Sequence, residues 1–520
     1  MRFLLLLILG FLGEISPYKI LLLAPFPPPS HYLWISHFTK ALLDRGHHVT
    51  AITSNHAKFK HRNLTEVVVN PPFDGPKYLP MKDIFDMRYD NDWENLWLYW
   101  RAGLMTTEHA LQTSVVQKFI QREDHFDLVL SEQFFQESFL MFAYKFDCPI
   151  VTIGTLGYSD FMDRAMGFHS PWATVPHSTL PYSSEMTFWE RTYNVMMSLA
   201  DAVLREWYYY PKQEHLAQTY FKFLKQRRGP LPSVRELEKN ISAMLINTHF
   251  SINPPRPLMP GQINVAGAHI HPPNPLPEDI QTFLDGARNG VILFSLGSII
   301  QSKEMPISKM RTFANVFKTL KQRVIMKYED NMLPSVSPNV MAVKWLPQAD
   351  ILAHPNVILF ITHGGIFGSQ EAIYHGVPML FIPFYGDQFR NALRAERDGY
   401  GLTLPWNEIS ASTLREKLND LLGHTGYKEK AVEVSKLFRD NPMPVMEQAM
   451  YTIEYVIRNN GALHWKSGGI KLAWWQHQLW DVYFFLSVVI AISSVVVWKF
   501  VVMLVLLATA KKTTKRTKND

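Results

Sequence analysis

Trp345–Gln388 reads WLPQADILAHPNVILFITHGGIFGSQEAIYHGVPMLFIPFYGDQ and gathers residues able to hold one polar ligand from several sides. Trp345 opens a turn ending in Pro347-Gln348, where an indole can stack on a base. The apolar, β-branched run Val357–Thr362 reads as a buried parallel strand, and His363-Gly364-Gly365 follows it at once. A helical pattern then covers Ser369–Tyr374. Strand, glycine turn and helix start aim backbone N–H groups and a helix dipole at an anion, and glycine lets that anion approach closely. The ligand this pattern predicts carries phosphates, with His363 donating to a phosphate oxygen. Glu371, about two helical turns on, suits a ribose diol instead. Asp387-Gln388 follow the strand candidate Val377–Pro383, at the end where open α/β sheets bind their ligands. Ser295-Leu296-Gly297-Ser298 closes a further strand, and its hydroxyls serve either a tight turn or a diphosphate.

A second constellation lies near the N-terminus. Phe26-Pro27-Pro28-Pro29-Ser30-His31 follows a strand candidate, Lys19–Ala24, and precedes a helix expected from about Leu33 to Asp44. A histidine in that first strand–helix loop faces the ligand edge of the sheet. It is placed to take the proton of an alcohol or phenol, which is a poor nucleophile until that proton leaves. His47, in Arg45-Gly46-His47, reads as structural.

Together these motifs resemble the UDP-glycosyltransferases, in particular the single-pass membrane branch found in animals, and the resemblance runs over nearly the whole chain. It implies an α/β chain of the GT-B type, with two doubly wound Rossmann-like domains facing a cleft. It also implies His31 as general base, Trp345 stacked on uracil, Gln348 on base or ribose, and Glu371 on ribose. Ser298, His363, Gly365 and Ser369 belong to the donor cradle in this reading, and Asp387 and Gln388 hold the hydroxyls of the transferred sugar. Relatives place an Asp as partner of the base where this chain has Glu132, one methylene longer. Many carry Asn two residues after the His-Gly-Gly turn, where this chain has Phe367. The implied reaction is an inverting transfer of a hexose from a UDP-sugar to a small lipophilic acceptor. It needs no metal, since dipoles and His363 serve in a metal's place, and it uses no tightly bound cofactor. Asp387-Gln388 favours glucose over glucuronic acid, although Arg390 and Arg394 stand where a carboxylate could be reached. The alternative is a membrane-tethered relative that binds lipophiles or nucleotide sugars without transfer. Asp90-Asn91-Asp92 matches the metal motif of a different glycosyltransferase fold, but no supporting strand precedes it.

The elements that must position these residues are alternating strands and helices on both sides of a Pro-rich stretch. Strands are expected at Lys19–Ala24, His48–Thr53, Phe126–Leu130 and Pro149–Gly154 before it. After it they are expected at Gly290–Leu296, Arg323–Tyr328, Val340–Trp345, Val357–Thr362 and Val377–Pro383. The predicted organisation is an acceptor domain at 17–252, an extended linker at 253–277 and a nucleotide-sugar domain at 278–442. Helices at 443–480 pack back on the first domain. Residues 155–210 are aromatic-rich without clean alternation, and read equally as acceptor pocket, core or membrane-facing surface.

Both ends carry targeting signals. Residues 1–16 read as a signal peptide, with an apolar core too short to span a bilayer. Val482–Ala510 exceeds the ~20 residues of a spanning helix. Trp474, Trp475 and Trp480 precede that run as an aromatic belt, and the basic tail 511–520 follows it. Lys499 inside the run snorkels or marks a shifted span. The positive-inside rule puts the tail in the cytosol and the domains in the lumen, in the endoplasmic reticulum by resemblance. Asn63 and Asn240 open glycosylation sequons that would face that lumen. The tail supplies four of the net +6 charges, so no basic face remains for nucleic acid. With 47% hydrophobic and 13% aromatic residues, disorder is excluded. The lone Cys148 forms no internal disulfide and reads as a small buried hydrophobe. A homo-oligomer is compatible with everything above.

Overall fold

The computed structural model describes residues 17–75, 85, 91–330 and 337–516, with side chains as far as residue 510. The predicted signal peptide, Asp90 and residues 517–520 lie outside the described residues. Seven strands form one parallel sheet: β1 (Lys19–Ala24), β2 (His48–Thr53), β3 (Leu64–Val68), β4 (Leu128–Glu132), β5 (Ile150–Gly154), β6 (Ile241–Ile246) and β7 (Gln262–Asn264). Six more form a second: β8 (Val291–Ser295), β9 (Arg323–Lys327), β10 (Val340–Val343), β11 (Val357–Thr362), β12 (Met379–Phe381) and β13 (Gly401–Thr403). The orders are β3-β2-β1-β4-β5-β6-β7 and β10-β9-β8-β11-β12-β13. Each sheet therefore starts at its centre, and chain direction across it reverses between β1 and β4, and between β8 and β11. Those two crevices are where a doubly wound sheet receives ligands.

The central strands of each sheet are buried on both faces, which is why they read as continuous apolar runs. In β1, Leu21 and Leu23 enter one core cluster while Ile20, Leu22 and Ala24 enter the other. In β8, Ile292 and Phe294 point to one side, and Val291 and Leu293 to the opposite side. This is the strict twofold alternation of a strand inside a doubly covered sheet.

Three departures from the sequence reading have local causes. The first helix, α1 (Pro29–Asp44), begins at Pro29 rather than near Leu33, so His31 sits in its first turn and not in a loop. Proline at the first helical position loses no hydrogen bond and arrives with helical φ. The strand expected at Phe126–Leu130 starts at Leu128, because Asp127 caps the neighbouring strand by accepting from the Lys19 N–H at 2.7 Å. The strand expected at Val377–Pro383 shrinks to Met379–Phe381, between prolines that cannot donate to a ladder. Strands β3, β6, β7 and β13 were not anticipated. β7 lies inside the Pro-rich stretch and pairs with β6 through Met244, Leu245 and Ile246.

Further helices that matter below are α2 (Asp92–Gln112), α3 (Phe188–Leu204), α4 (Ile366–Tyr374), α5 (Asp387–Arg397), α6 (Val445–Arg458) and α7 (Trp480–Arg516). Asn91 caps α2 by accepting from the Trp93 N–H at 2.9 Å, so the Asp-Asn-Asp triplet opens a helix. The aromatic stretch 155–210 is divided: Met197, Arg205 and Tyr209 are buried, whereas Trp189, Met196, Val203 and Trp207 are exposed. Helix α6 returns to the first sheet. Its Ala449, Met450, Ile453 and Val456 are fully buried in the cluster that also holds Trp34 and Ile35 of α1. Arg45 locks it from the polar side, pairing with Glu454 at 2.7 Å and with Glu447. His47 is buried beside the same Glu454, at 3.3 Å, as a structural residue.

In α7, Trp480–Ala510 is apolar and long enough to cross a membrane, and Lys499 stands exposed within it. Asn240 is exposed immediately before β6, and the amide of Asn63 donates to Gly46 O at 3.2 Å. Burial pushes the Cys148 thiol up to about 12, which keeps it protonated and unreactive.

Candidate active site

The first crevice holds His31 and Glu132. Glu132 is the last residue of β4, and His31 lies just beyond the adjacent β1. Their contact, Nδ1 to Oε1, is 2.7 Å, and both residues are buried. With Nδ1–H donating to the carboxylate, Nε2 keeps its lone pair for an incoming proton. Thr155 Oγ1 also donates to Glu132 Oε1, at 3.4 Å, while Oε2 has no hydrogen-bond partner among the described residues. Phe26 and Phe134 meet the imidazole edge-on at centroid distances of 4.8 and 5.1 Å. The surroundings of the base are thus apolar, which strengthens its bond to the one carboxylate.

The second crevice lies across the gap. His363, directly after β11, is wedged between two glycines. A Cβ on Gly297 would meet its Cε1 at 2.6 Å, and a Cβ on Gly365 would meet its Nε2 at 2.5 Å. Burial, reinforced by Lys327, lowers the His363 imidazole to about 4, so it is neutral at physiological pH. It therefore offers a hydrogen bond and no charge. The positive charge comes from Lys327 at the end of β9, whose Nζ donates to Gly297 O at 2.7 Å and pairs with Glu329 at 3.0 Å. Sequence reasoning missed Lys327. Its signal was a lysine closing a buried strand next to the strand that ends in Ser-Leu-Gly-Ser.

Ser295 Oγ accepts from the Gly297 N–H at 3.3 Å and so serves the turn, whereas Ser298 is half-buried at its tip. Ser369 is buried with its Oγ unpartnered. Trp345 is 55% exposed, with Lys58 Nζ 4.9 Å and Lys327 Nζ 5.5 Å from its ring centroid. Gln348 Nε2 donates to Glu371 Oε2 at 2.7 Å. A Cβ on Gly368 would come within 2.9 Å of that same Nε2, so the glycine leaves room for the pair. Burial raises the Glu371 carboxyl to about 7 against the lowering effect of Gln348. Asp387 opens α5, and its Oδ2 accepts from the Ile366 N–H at 3.2 Å and from Asn391 Nδ2 at 2.9 Å. Burial raises its carboxyl above the ordinary range. Gln388 is 2% exposed, and its Oε1 accepts from the N–H groups of Phe384 and Tyr385 at 2.9 and 3.3 Å. Its carbonyl shapes the loop that presents Asp387.

Phe367 explains the missing asparagine. From α4 its ring reaches over the gap to Trp34 and His31 of the first domain, each at 5.9 Å between centroids. A polar position has become an apolar contact beside the base. The seam continues with Gln370 Nε2 donating to Asn247 Oδ1 at 2.8 Å, and the Gly386 N–H donating to Asn95 Oδ1 at 3.0 Å.

Comparisons with known proteins agree with this architecture. A family profile described as "UDP-glucoronosyl and UDP-glucosyl transferase" matches residues 19–516. UDP-glycosyltransferase UGT5 of Dactylopius coccus is 32% identical over 493 residues, covering 94% of this chain and 92% of the relative. UDP-glucosyltransferase 2 of the same organism is 34% identical over 474 residues, 90% of each. UDP-glucuronosyltransferase 2B16 of Oryctolagus cuniculus is 29% identical over 505 residues, covering 93% of this chain and 94% of the relative. Among solved structures, the calicheamicin glycosyltransferase CalG4 shares the fold with a TM-score of 0.56 at 17% identity, covering 85% of this chain and 100% of its own.

Proposed function

This chain belongs to the UDP-glucoronosyl and UDP-glucosyl transferase family, and from that premise we propose that it transfers a hexose, glucose in preference to glucuronic acid, from a UDP-sugar to a hydroxyl of a small lipophilic acceptor, with inversion. His31 Nε2 takes the acceptor's proton as the acceptor oxygen bonds to the anomeric carbon. The bond from that carbon to the diphosphate oxygen breaks on the opposite face, and UDP leaves. Glu132 keeps Nδ1 protonated and stabilises the imidazolium that forms. Ser298, His363, Lys327 and the amides around Gly365 and Ser369 receive the charge building on the leaving diphosphate. Trp345 stacks on uracil, Gln348 and Glu371 take base and ribose, and Asp387 takes sugar hydroxyls on a loop braced by Gln388.

The observation that carries this reading is the 2.7 Å contact of His31 with Glu132 at one crevice, facing a Gly-wedged histidine at the other. The same reading places the domains in the lumen of the endoplasmic reticulum, behind a cleaved leader at 1–16, on a single-pass helix with a cytosolic basic tail. Asn63 and Asn240 then carry glycans, and the acceptor and donor halves divide at the Pro-rich 253–277 stretch.

A microsomal screen of UDP-sugars against a panel of phenols tests this, with wild type compared to His31→Ala. The substitution is expected to abolish turnover while UDP affinity stays within about threefold, because a group acting in the transition state need not alter ground-state binding. Donor binding without transfer in the wild type would instead identify a non-enzymatic binder.

A further inference from the structure

A pocket lies in the seam between the domains, beside α5. Helix α5 presents Arg390, Arg394 and Arg397 at i, i+4 and i+7, one helical face. Arg256, from the Pro-rich stretch, completes the lining opposite them, together with Tyr158 and His177. Among the described residues that line this pocket there is no Asp or Glu.

The arginines are under-compensated. Arg394 and Arg397 share one carboxylate, Asp398, at 3.3 and 3.0 Å. Arg256 pairs with Asp163, yet its Nε is buried without a hydrogen-bond partner. Arg390 makes no ion pair among the described residues. It donates to the Ser178 and Leu156 carbonyls, and its charge is also felt by the Asp387 carboxyl. Burial and the neighbouring Arg397 hold the Arg394 guanidinium below its usual range despite Asp398. Gathering like charges out of water is costly unless a counter-charge joins them. Guanidinium groups bind planar or tetrahedral oxyanions through paired N–H donors. The free interior is about 60 Å³, several times the ~10–15 Å³ that a single water needs. That leaves room for a small oxyanion.

We propose that this seam pocket binds one small oxyanion of the size and charge of inorganic phosphate, tying Arg256 on the first domain to Arg390 and Arg394 on the second. The pocket lies beside the proposed sugar site but supplies no group to the transfer step, and filling the donor cradle with UDP distinguishes the two. Asn391 links the two sites across α5, since its amide donates to Asp387 Oδ2 and to Gly364 O at 2.9 and 2.8 Å.

The test is calorimetric titration of the full chain in detergent micelles with inorganic phosphate, in a buffer free of other oxyanions. Saturating UDP is present so that the diphosphate cradle is filled. One phosphate per chain is expected. Arg394→Gln with Arg397→Gln is expected to weaken phosphate binding at least tenfold and leave UDP affinity unchanged. Should circular dichroism show that the double variant does not fold, Arg397→Gln alone, with a side chain 42% exposed, is expected to weaken binding about threefold. No phosphate binding in the presence of UDP overturns the proposal, as does an unchanged affinity in the folded variants. So does displacement of phosphate, in a parallel titration without UDP, by UDP-glucuronate but not by UDP-glucose, since the pocket would then take the donor's own carboxylate.

Discussion

In the proposed transfer, His363 and Lys327 would divide between them what a metal ion does alone. The buried imidazole, held near 4, supplies a directed hydrogen bond, and the lysine 2.7 Å from Gly297 O supplies the charge. A neutral donor does not titrate with the leaving group, so the cradle's strength is constant across physiological pH. Glu371 behaves differently. Burial holds its carboxyl at about 7, above the ordinary 4.5, so the empty site takes up a proton as pH falls through neutrality. In the proposed binding mode ribose hydroxyls donate to the ionised form, so binding would expel that proton. UDP affinity measured by calorimetry is expected to fall as pH drops from 8 to 5.5, approaching tenfold per pH unit below 7. In the empty protein the sign is opposite to that of a salt-bridged carboxylate. A raised folded pKa contributes stability that is full below 4.5 and lost as pH rises through 7. Glu371→Gln is expected to flatten both profiles and to weaken UDP about tenfold or more, and an unchanged pH dependence would show that another group controls them.

At the scale of elements, both sites are products of one sheet topology used twice, with a strand end at each reversal of order. The glycine turn after β11 does this geometrically, because Gly365 lies against the His363 ring. Gly365→Ala keeps an ordinary φ of −61° at the helix entrance, so the backbone tolerates it. Its Cβ, however, cannot coexist with Nε2 at 2.5 Å. UDP affinity is expected to drop ~10- to 100-fold, about 1.4–2.7 kcal/mol, with the melting midpoint moved by only a few °C. These elements were legible because apolar β-branched runs ending in Gly or His have few other readings. Strand β6, ISAMLI, hid behind its sequon, Asn240-Ile241-Ser242, and β7 behind prolines that suggested a linker. Neither carries the alternation or turn signal that announces a strand. His31, Trp345 and Glu371 were legible by type and position. Lys327 was not, because its role depends on β9 lying beside β8, which is a property of sheet order and not of local sequence. Phe367 was visible only as a missing polar group. What it does instead depends on the two domains meeting.

The whole molecule is two ligand-binding sheets held face to face, with α6 of the second half returning to the first and Phe367 crossing the gap. Helix α7 stands outside this arrangement. None of its membrane-length stretch is buried against the domains, so it contributes nothing to either core. The segment before it does pack. His477 meets His169 with ring centroids 4.6 Å apart and hydrogen-bonds Gly469 O at 2.7 Å. A Cβ on Gly167 would fall 2.6 Å from the Ile470 N, so this segment lies directly on the first domain. The boundary between the packed domains and the outlying apolar helix therefore falls between Leu479 and Trp480. A chain ended at Leu479 is expected to leave the membrane pellet in flotation assays and to bind UDP within about threefold of the full chain. Ending it earlier, at Ser467, removes the strap over Gly167 and is expected to lower the melting midpoint by several °C. If instead the Leu479 chain unfolds, the anchor helix must support the domains through contacts made only within a bilayer.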